Sequence, residues 1–164
     1  MSYIKQGIVL LLFLLGLSGC AETKPSDKLA IIAGEQSINC IPVSRESDSE
    51  DIFKSFFAEE ALSEIKNVKT NEMLSLKFEG DPPNQVAIKD ILLHSDGSYL
   101  YPEKLSPQTL LTNKDENFSF VAGKNLTSAL SSQFDPAKRN YRGFEVHAAW
   151  ESGDEKCIFV IKEK

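Results

Sequence analysis

The sequence predicts a mostly β protein, an immunoglobulin-like β-sandwich with one inserted amphipathic helix. About seven short segments have strand-like patterns, and turn residues separate them at intervals of roughly 8–12 residues. Cys40 lies near the first of these segments and Cys157 lies on the last, where a bridge would join the two ends of a sandwich. Trp150 lies close before Cys157 rather than soon after Cys40, so the likeness concerns architecture alone. The alternative is an α+β domain, with one helix packed on an antiparallel sheet.

The first half of the folded region contains the helix. Residues 29–33 form a short apolar run that ends at Gly34, and residues 36–43 alternate as a strand whose Pro42 indicates a strand end or edge. Ser47 begins a capping box, and apolar residues then recur at helical spacing, which predicts a helix from about 49 to 67. Its apolar face is either part of the core or a surface for a partner.

The second half is strand-like almost throughout. Asp96-Gly97 is a hairpin signal, and the segment before Cys157 predicts a second hairpin at the end of the chain. The predicted strands are 73–78, 85–94, 99–101, 117–121, 143–150 and 157–161, with turns at 80–84 and 152–155; residues 110–112 are ambiguous, and 126–130 form a strand or a helical turn.

The N-terminal segment has the composition of a secretory signal. Lys5 precedes an apolar run of about 11 residues, which is too short for the roughly 20 residues of a membrane-spanning helix. The run ends in Leu17-Ser18-Gly19-Cys20, and this motif resembles the lipobox of bacterial lipoproteins. An uncleaved N-terminal anchor is the alternative.

The resemblance implies a lipid anchor. In the family, residues 1–19 would be removed as a signal peptide, and Cys20 would carry fatty acyl chains such as palmitate as the first residue. Residues 20–28 would form a lipidated tether and 29–164 a single domain. The eight residues 21–28 extend at most about 28 Å. Ala21 is compatible with outer-membrane sorting, so the expected location is the exported side of the cell membrane or outer membrane; the sequence leaves open which envelope it is.

The charge of the chain disfavours nucleic acid as a partner. Lys5 is the only charged residue in 1–19, so the mature chain would carry 17 Lys and Arg against 24 Asp and Glu, a net charge of about −7. Because no basic stripe is present to displace phosphate counterions, we expect no nucleic-acid binding. The expected partners are the membrane, through the lipid on Cys20, and an envelope protein.

Cys40 and Cys157 remain after Cys20 is assigned to lipid. In an exported protein two remaining cysteines usually pair, so we predict a Cys40–Cys157 disulfide; two buried free thiols are the alternative. Neither cysteine has a Cys or His at metal-ligand spacing, so no metal site and no cofactor is predicted.

No catalytic motif is present. His94 and His147 are expected to lie on strand faces, and the acidic residues Asp48, Glu50 and Asp51 fit the start of a helix rather than a calcium loop. Near predicted turns, Tyr99, Tyr101 and Tyr141 are either contact residues or flank the core.

The sequence therefore predicts a non-enzymatic binding or accessory module at the cell envelope. One alternative is an inhibitor or adaptor of an envelope enzyme, docking through a loop such as 80–84 or 102–107. The other is a hydrolase with an unrecognised site, in which His94 or His147 would lie beside an acid and a nucleophile in a pocket. The oligomeric state and the specific partner are left open.

Overall fold

The computed structural model describes residues 29–44, 46–112, 117–130 and 140–164. The predicted signal peptide and tether, with Cys20, lie outside the described residues. The described elements are β1 (Leu29–Ala33), β2 (Gln36–Ile38), β3 (Ile41–Val43), α1 (Ser49–Ser55), β4 (Lys66–Val68), β5 (Glu72–Phe78), β6 (Gln85–Leu93), β7 (Gln108–Thr112), β8 (Phe118–Ala122), β9 (Tyr141–Trp150) and β10 (Gly153–Glu163), with 3₁₀ turns at Leu62–Glu64, Glu103–Leu105 and Leu126–Leu130.

These elements form a β-sandwich with one α-helix, which confirms the predicted class. The smaller sheet has the order β2-β1-β5-β8, and the larger has the order β3-β10-β9-β6-β7. All of these neighbours are antiparallel, and β4 adds a parallel pair with residues 161–163 of β10, beyond the residues that pair with β3. The sheets thus hold four and six described strands, whereas an immunoglobulin constant domain has four and three.

Alternate side chains of both sheets form the main core. Phe144 and Phe159 stack at its centre with ring centroids 4.8 Å apart, and Phe120 of the smaller sheet packs on Phe144 at 5.5 Å. One end of this core is closed by the buried Arg142, whose guanidinium pairs with Asp90 and Glu163 and donates to the backbone oxygen of Gly123 at 2.6 Å. The last contact joins the two sheets, because Gly123 follows β8.

A second apolar cluster lies on the outer face of the larger sheet. Ile158 and Val160 point to this face, while Cys157, Phe159 and Ile161 point to the main core. This explains the uninterrupted apolar run in β10, because a strand buried on both faces does not alternate. The cover is α1, whose fully buried Phe53 lies against Gly143. The helix face therefore packs on the domain.

The helix begins at Ser49 as predicted, but its predicted length and N-cap were wrong. The helix ends at Ser55, whose hydroxyl donates to the backbone oxygen of Ile52, and the chain continues through tight turns until it reaches β4. The helical pattern continues beyond Ser55, but the pairing of β4 with β10 is more favourable than a longer helix, since tertiary contacts override local propensity. At the start, Asp48 rather than Ser47 is the N-cap, with its carboxylate accepting from the Glu50 N–H at 2.9 Å.

Two strand assignments were also wrong. Residues 36–43 form two strands in different sheets, because residues 39 and 40 carry the chain from one sheet to the other. Residues 99–101 form no strand and make only an isolated bridge between Tyr99 and Leu93. The turn before them is held against the helix instead: a Cβ on Gly97 would lie 2.6 Å from Lys54 Cα. The final turn is also shorter than predicted, since β10 already begins at Gly153.

Candidate binding pocket at the open end of the sandwich

A pocket of about 260 Å³ lies between the two sheets, at the end opposite Arg142. Its lining is mostly apolar. The smaller sheet contributes Leu29 and Phe78, and the larger sheet contributes Val146, Ala148 and Trp150 of β9. The remaining lining residues are Cys40, Pro42, Val43, Asp154, Glu155, Lys156 and Cys157. The pocket thus occupies the point at which the chain enters its first strand.

The disulfide forms part of the pocket wall. Cys40 and Cys157 are bonded, with their Cα atoms 5.7 Å apart and 117 positions apart in sequence. The predicted pairing is therefore present. Because Cys40 lies on the segment that crosses between the sheets and Cys157 lies on β10, the bridge fixes the crossing segment beside the pocket.

Trp150 forms another wall and is held in place from two sides. Its ring packs edge-on against Phe78 with centroids 5.7 Å apart, and its Nε1 donates to the backbone oxygen of Asp81 at 2.8 Å. The same hydrogen bond ties down the loop 80–84, in which Pro83 is buried. That loop, which the inhibitor alternative would use for docking, is therefore attached to the mouth of the pocket.

The surface next to the pocket is acidic. A second, more open depression shares Trp150, Asp154 and Glu155 with the pocket and adds Glu79 and Asp81. Among the described residues that line the apolar pocket, Lys156 is the one cation. Its ammonium group donates to Ser49 Oγ at 2.6 Å and lies 3.7 Å from Glu145, on the outer face of the sheet.

Glu145 is the centre of a separate charged cluster, on the outer face of the larger sheet. Its carboxylate oxygen Oε2 lies 3.2 Å from Lys89 Nζ, 3.7 Å from Lys156 Nζ and 3.6 Å from His147 Nε2. Its Oε1 has no hydrogen-bond partner within the part of the chain that the structure describes.

Burial alone would raise the pKa of Glu145, but hydrogen bonds from His147 and Ser49 and the charges of both lysines outweigh it and lower the pKa to about 2. The pKa of Lys89 is raised, since Glu103 and Glu145 together outweigh its burial. Glu145 and Lys89 therefore stay charged at neutral pH. The cluster also fastens the start of α1 to the sheet, through the contact between Ser49 and Lys156.

The two histidines differ in their surroundings. His94 is exposed at the end of β6, whereas His147 is about half exposed beside Glu145. Ser49, the hydroxyl closest to this cluster, is buried and bonded to Lys156. Neither histidine lines the apolar pocket or the acidic depression. For the hydrolase alternative, Glu145 is an acid beside His147, but the two described pockets contain neither histidine.

Tyr99 and Tyr141 flank the second apolar cluster, and Tyr101 is half-buried. Tyr99 packs edge-on against Phe53 at 6.0 Å, and Tyr141 packs edge-on against Phe57 at 4.9 Å. Across residues 29–44, 46–112, 117–130 and 140–164, no group of three His, Cys, Asp or Glu side chains is arranged to hold a metal ion. Within these same ranges, no helix has the length and apolar character needed to span a membrane.

Sequence reasoning missed the pocket, Arg142 and Glu145. Strand alternation carried a signal for Arg142 alone, because Arg142 shares a strand face with Phe144 and Val146, both core residues. No local sequence pattern indicated the pocket, since its lining residues come from five separated segments of the chain. Comparison with known proteins adds no assignment: the chain matches no protein-family model and no curated protein.

Proposed function

We propose that this chain is a lipid-anchored protein of a bacterial cell envelope whose β-sandwich is a non-enzymatic binding or accessory module. The observation that carries the proposal is the sequence Leu17-Ser18-Gly19-Cys20 directly after an apolar run of signal length. Acylation of Cys20 with two or more chains would hold the protein stably on the exported side of the cell membrane or outer membrane.

The position of the pocket supports a role close to the membrane. Leu29 lines the pocket and is also the first described residue after the tether. With Cys20 in the lipid, residues 21–28 keep Leu29 within about 32 Å of the anchor, since nine extended steps separate the two residues. The pocket is therefore carried near the membrane surface, where an apolar or amphiphilic molecule is concentrated.

The anchor is tested by fractionation in salt. The wild-type chain should remain with membranes after a high-salt wash, whereas Cys20→Ala should lose lipid attachment and the high-salt retention that depends on it. Ser18→Ala is the matched control, since it keeps a small residue in the motif and should behave as wild type. Membrane retention of Cys20→Ala at high salt would contradict the lipid anchor.

The accessory role is tested by crosslinking in the cell that makes the protein. A single reproducible envelope protein, captured by wild type and lost with Cys20→Ala, would support an adaptor or inhibitor that acts at the membrane. The absence of any partner above background would contradict that role and leave binding of a small molecule in the pocket.

A further inference from the structure

We infer that the pocket between the sheets binds one alkyl chain of about eight to ten carbons, which belongs to a single-chain amphiphile taken up at the membrane. This ligand class deepens the proposed function, on which it rests, by stating what the binding module holds. The volume of the pocket, the chemistry of its walls and its position beside the tether support it.

The volume of the pocket fits a single chain of medium length. An apolar cavity of about 150 Å³ in another protein takes up benzene, which has about six carbon atoms to place. By the same measure, the volume of about 260 Å³ between these sheets holds roughly ten carbon atoms. One medium-length chain therefore fills the pocket and leaves no room for a second.

The walls offer such a chain mainly apolar contacts. Phe78 of the smaller sheet and Trp150 of the larger sheet meet edge to face with ring centroids 5.7 Å apart, and both line the pocket. Val146 and Ala148 line the same space, and the disulfide adds a further apolar wall. The indole N–H of Trp150 is already donated to the backbone oxygen of Asp81, so the ring presents carbon atoms to a ligand.

The charged lining residues belong to β10, and strand alternation directs two of them away from the apolar space. Lys156 donates its ammonium group to Ser49 on the outer face of the larger sheet, and Asp154 shares that face because it lies two positions earlier on the strand. Among the described charged residues of the lining, Glu155 alone shares the face of Cys157. An alkyl chain would therefore lie among apolar side chains, with its head group outside them.

The tether carries the pocket close to a source of such chains. Leu29 lines the pocket and lies nine positions after Cys20, so this wall stays within about 32 Å of the anchor. The acyl chains expected on Cys20 are a poorer occupant, because a palmitoyl chain of about 16 carbons would leave roughly six of them outside the pocket, whereas the bilayer buries them all. A separate amphiphile with a shorter chain loses no buried surface when it moves from the bilayer to the pocket.

Trp150 provides a direct assay, because it lines the pocket and is the only tryptophan in the chain. The full chain is reconstituted in phosphatidylcholine vesicles, and its fluorescence is titrated with the neutral alcohols butanol, hexanol, octanol, decanol, dodecanol and tetradecanol. Protein-free vesicles give the free aqueous concentration of each alcohol. We expect a saturable change in fluorescence, with an affinity that rises about fourfold per added methylene group up to roughly ten carbons and then levels off.

Variants that change the volume of the pocket should move this limit. Ala148→Leu enlarges a lining side chain and should shorten the chain length at which the affinity levels off by about three carbons, whereas Val146→Ala should lengthen it by about two. Ala30→Leu is the matched control, because it makes the same substitution at an exposed position of β1 that does not line the pocket. Wild-type melting temperatures would show that the variants fold, and Val146→Ala carries the test if Ala148→Leu does not.

Three results would overturn the inference. A Trp150 signal that never saturates would refute the pocket as a binding site, and a limit at the same chain length in both volume variants would place the binding elsewhere. A response that appears with Cys20→Ala but not with the wild type would show that the protein's own acyl chain fills the pocket. The salt fractionation of Cys20→Ala judges the anchor without any ligand, so a failure of the ligand and a failure of the proposed function are distinguishable.

Discussion

Replacing Gly143 with alanine should destabilise the domain by overpacking the contact between α1 and the larger sheet. Gly143 lies on β9 against the ring of Phe53, and a Cβ there would be 2.7 Å from Cζ and 2.8 Å from Cδ1 of that ring. Carbon atoms in favourable contact are about 3.5–4.0 Å apart, so the new methyl group would be roughly 1 Å too close.

The ring of Phe53 has little room to retreat. It is fully buried, packs on Tyr99 at 6.0 Å and belongs to the cluster that includes Ile91 and Ile158. Overpacking costs about 1–3 kcal/mol, and we expect the upper half of that range because backbone and ring must both shift. For a domain of this size the melting temperature should fall by roughly 3–4 °C per kcal/mol.

Urea unfolding measures the effect on the free energy of unfolding. The variants compared are Gly143→Ala, Phe53→Leu and the double variant that carries both changes. Gly123→Ala is the control, because its nearest atom to a new Cβ is 3.7 Å away, an ordinary contact. Adding Phe53→Leu to Gly143→Ala should restore part of the lost stability, which is a favourable coupling between neighbours. If Gly143→Ala loses no more stability than Gly123→Ala, or if the double variant is merely additive, the reasoning about this contact is wrong.

Three other perturbations test the rest of the structure by unfolding in urea. Removing the bridge as Cys40→Ser with Cys157→Ser opens a loop of 117 positions, so the chain-entropy model predicts a loss of about 5 kcal/mol, and reducing agent should then have no further effect. The pKa of Glu145 falls from 4.5 in the unfolded chain to about 2 in the folded one. The free energy of unfolding therefore contains a contribution of about 3 kcal/mol that is fully present above pH 4.5 and is lost as the pH falls through 2. Glu145→Gln should lack this loss of stability in acid. Arg142→Ala leaves the carboxylate of Asp90 without its buried partner and should cost about 3–5 kcal/mol, and a loss below 1 kcal/mol would contradict the assigned network.

The sandwich was predictable because its strands have strong local patterns. The alternation in 73–78 and 143–150 placed the correct residues in the core, and the two cysteines indicated which ends of the chain meet. Both signals are properties of short sequence segments, since the side-chain period of a strand is two and a disulfide needs only two residues.

The errors lie where distant contacts override local patterns. Residues 56–65 have helical spacing, but the helix stops at Ser55 and the chain turns toward its pairing partner β10. Residues 36–43 alternate as one strand, yet they divide between two sheets, because Cys40 must reach Cys157. Neither partner is adjacent in sequence, so no local pattern could reveal the change.

The candidate site could be predicted only in part. The disulfide in its wall followed from cysteine counting, but the pocket depends on where the two sheets separate, between Leu29 and Trp150. The distribution of charge around the pocket could not be predicted without the register of β10. That register directs Lys156 to the outer face of the sheet, while Cys157 faces the core.

The lipid anchor is tested most directly by the intact mass of the protein isolated from membranes of the cell that makes it. We predict a chain that begins at Cys20, lacks residues 1–19 and carries acyl chains on Cys20. An unmodified Cys20, or a chain that retains residues 1–19, would contradict the lipid anchor on which the proposed function depends.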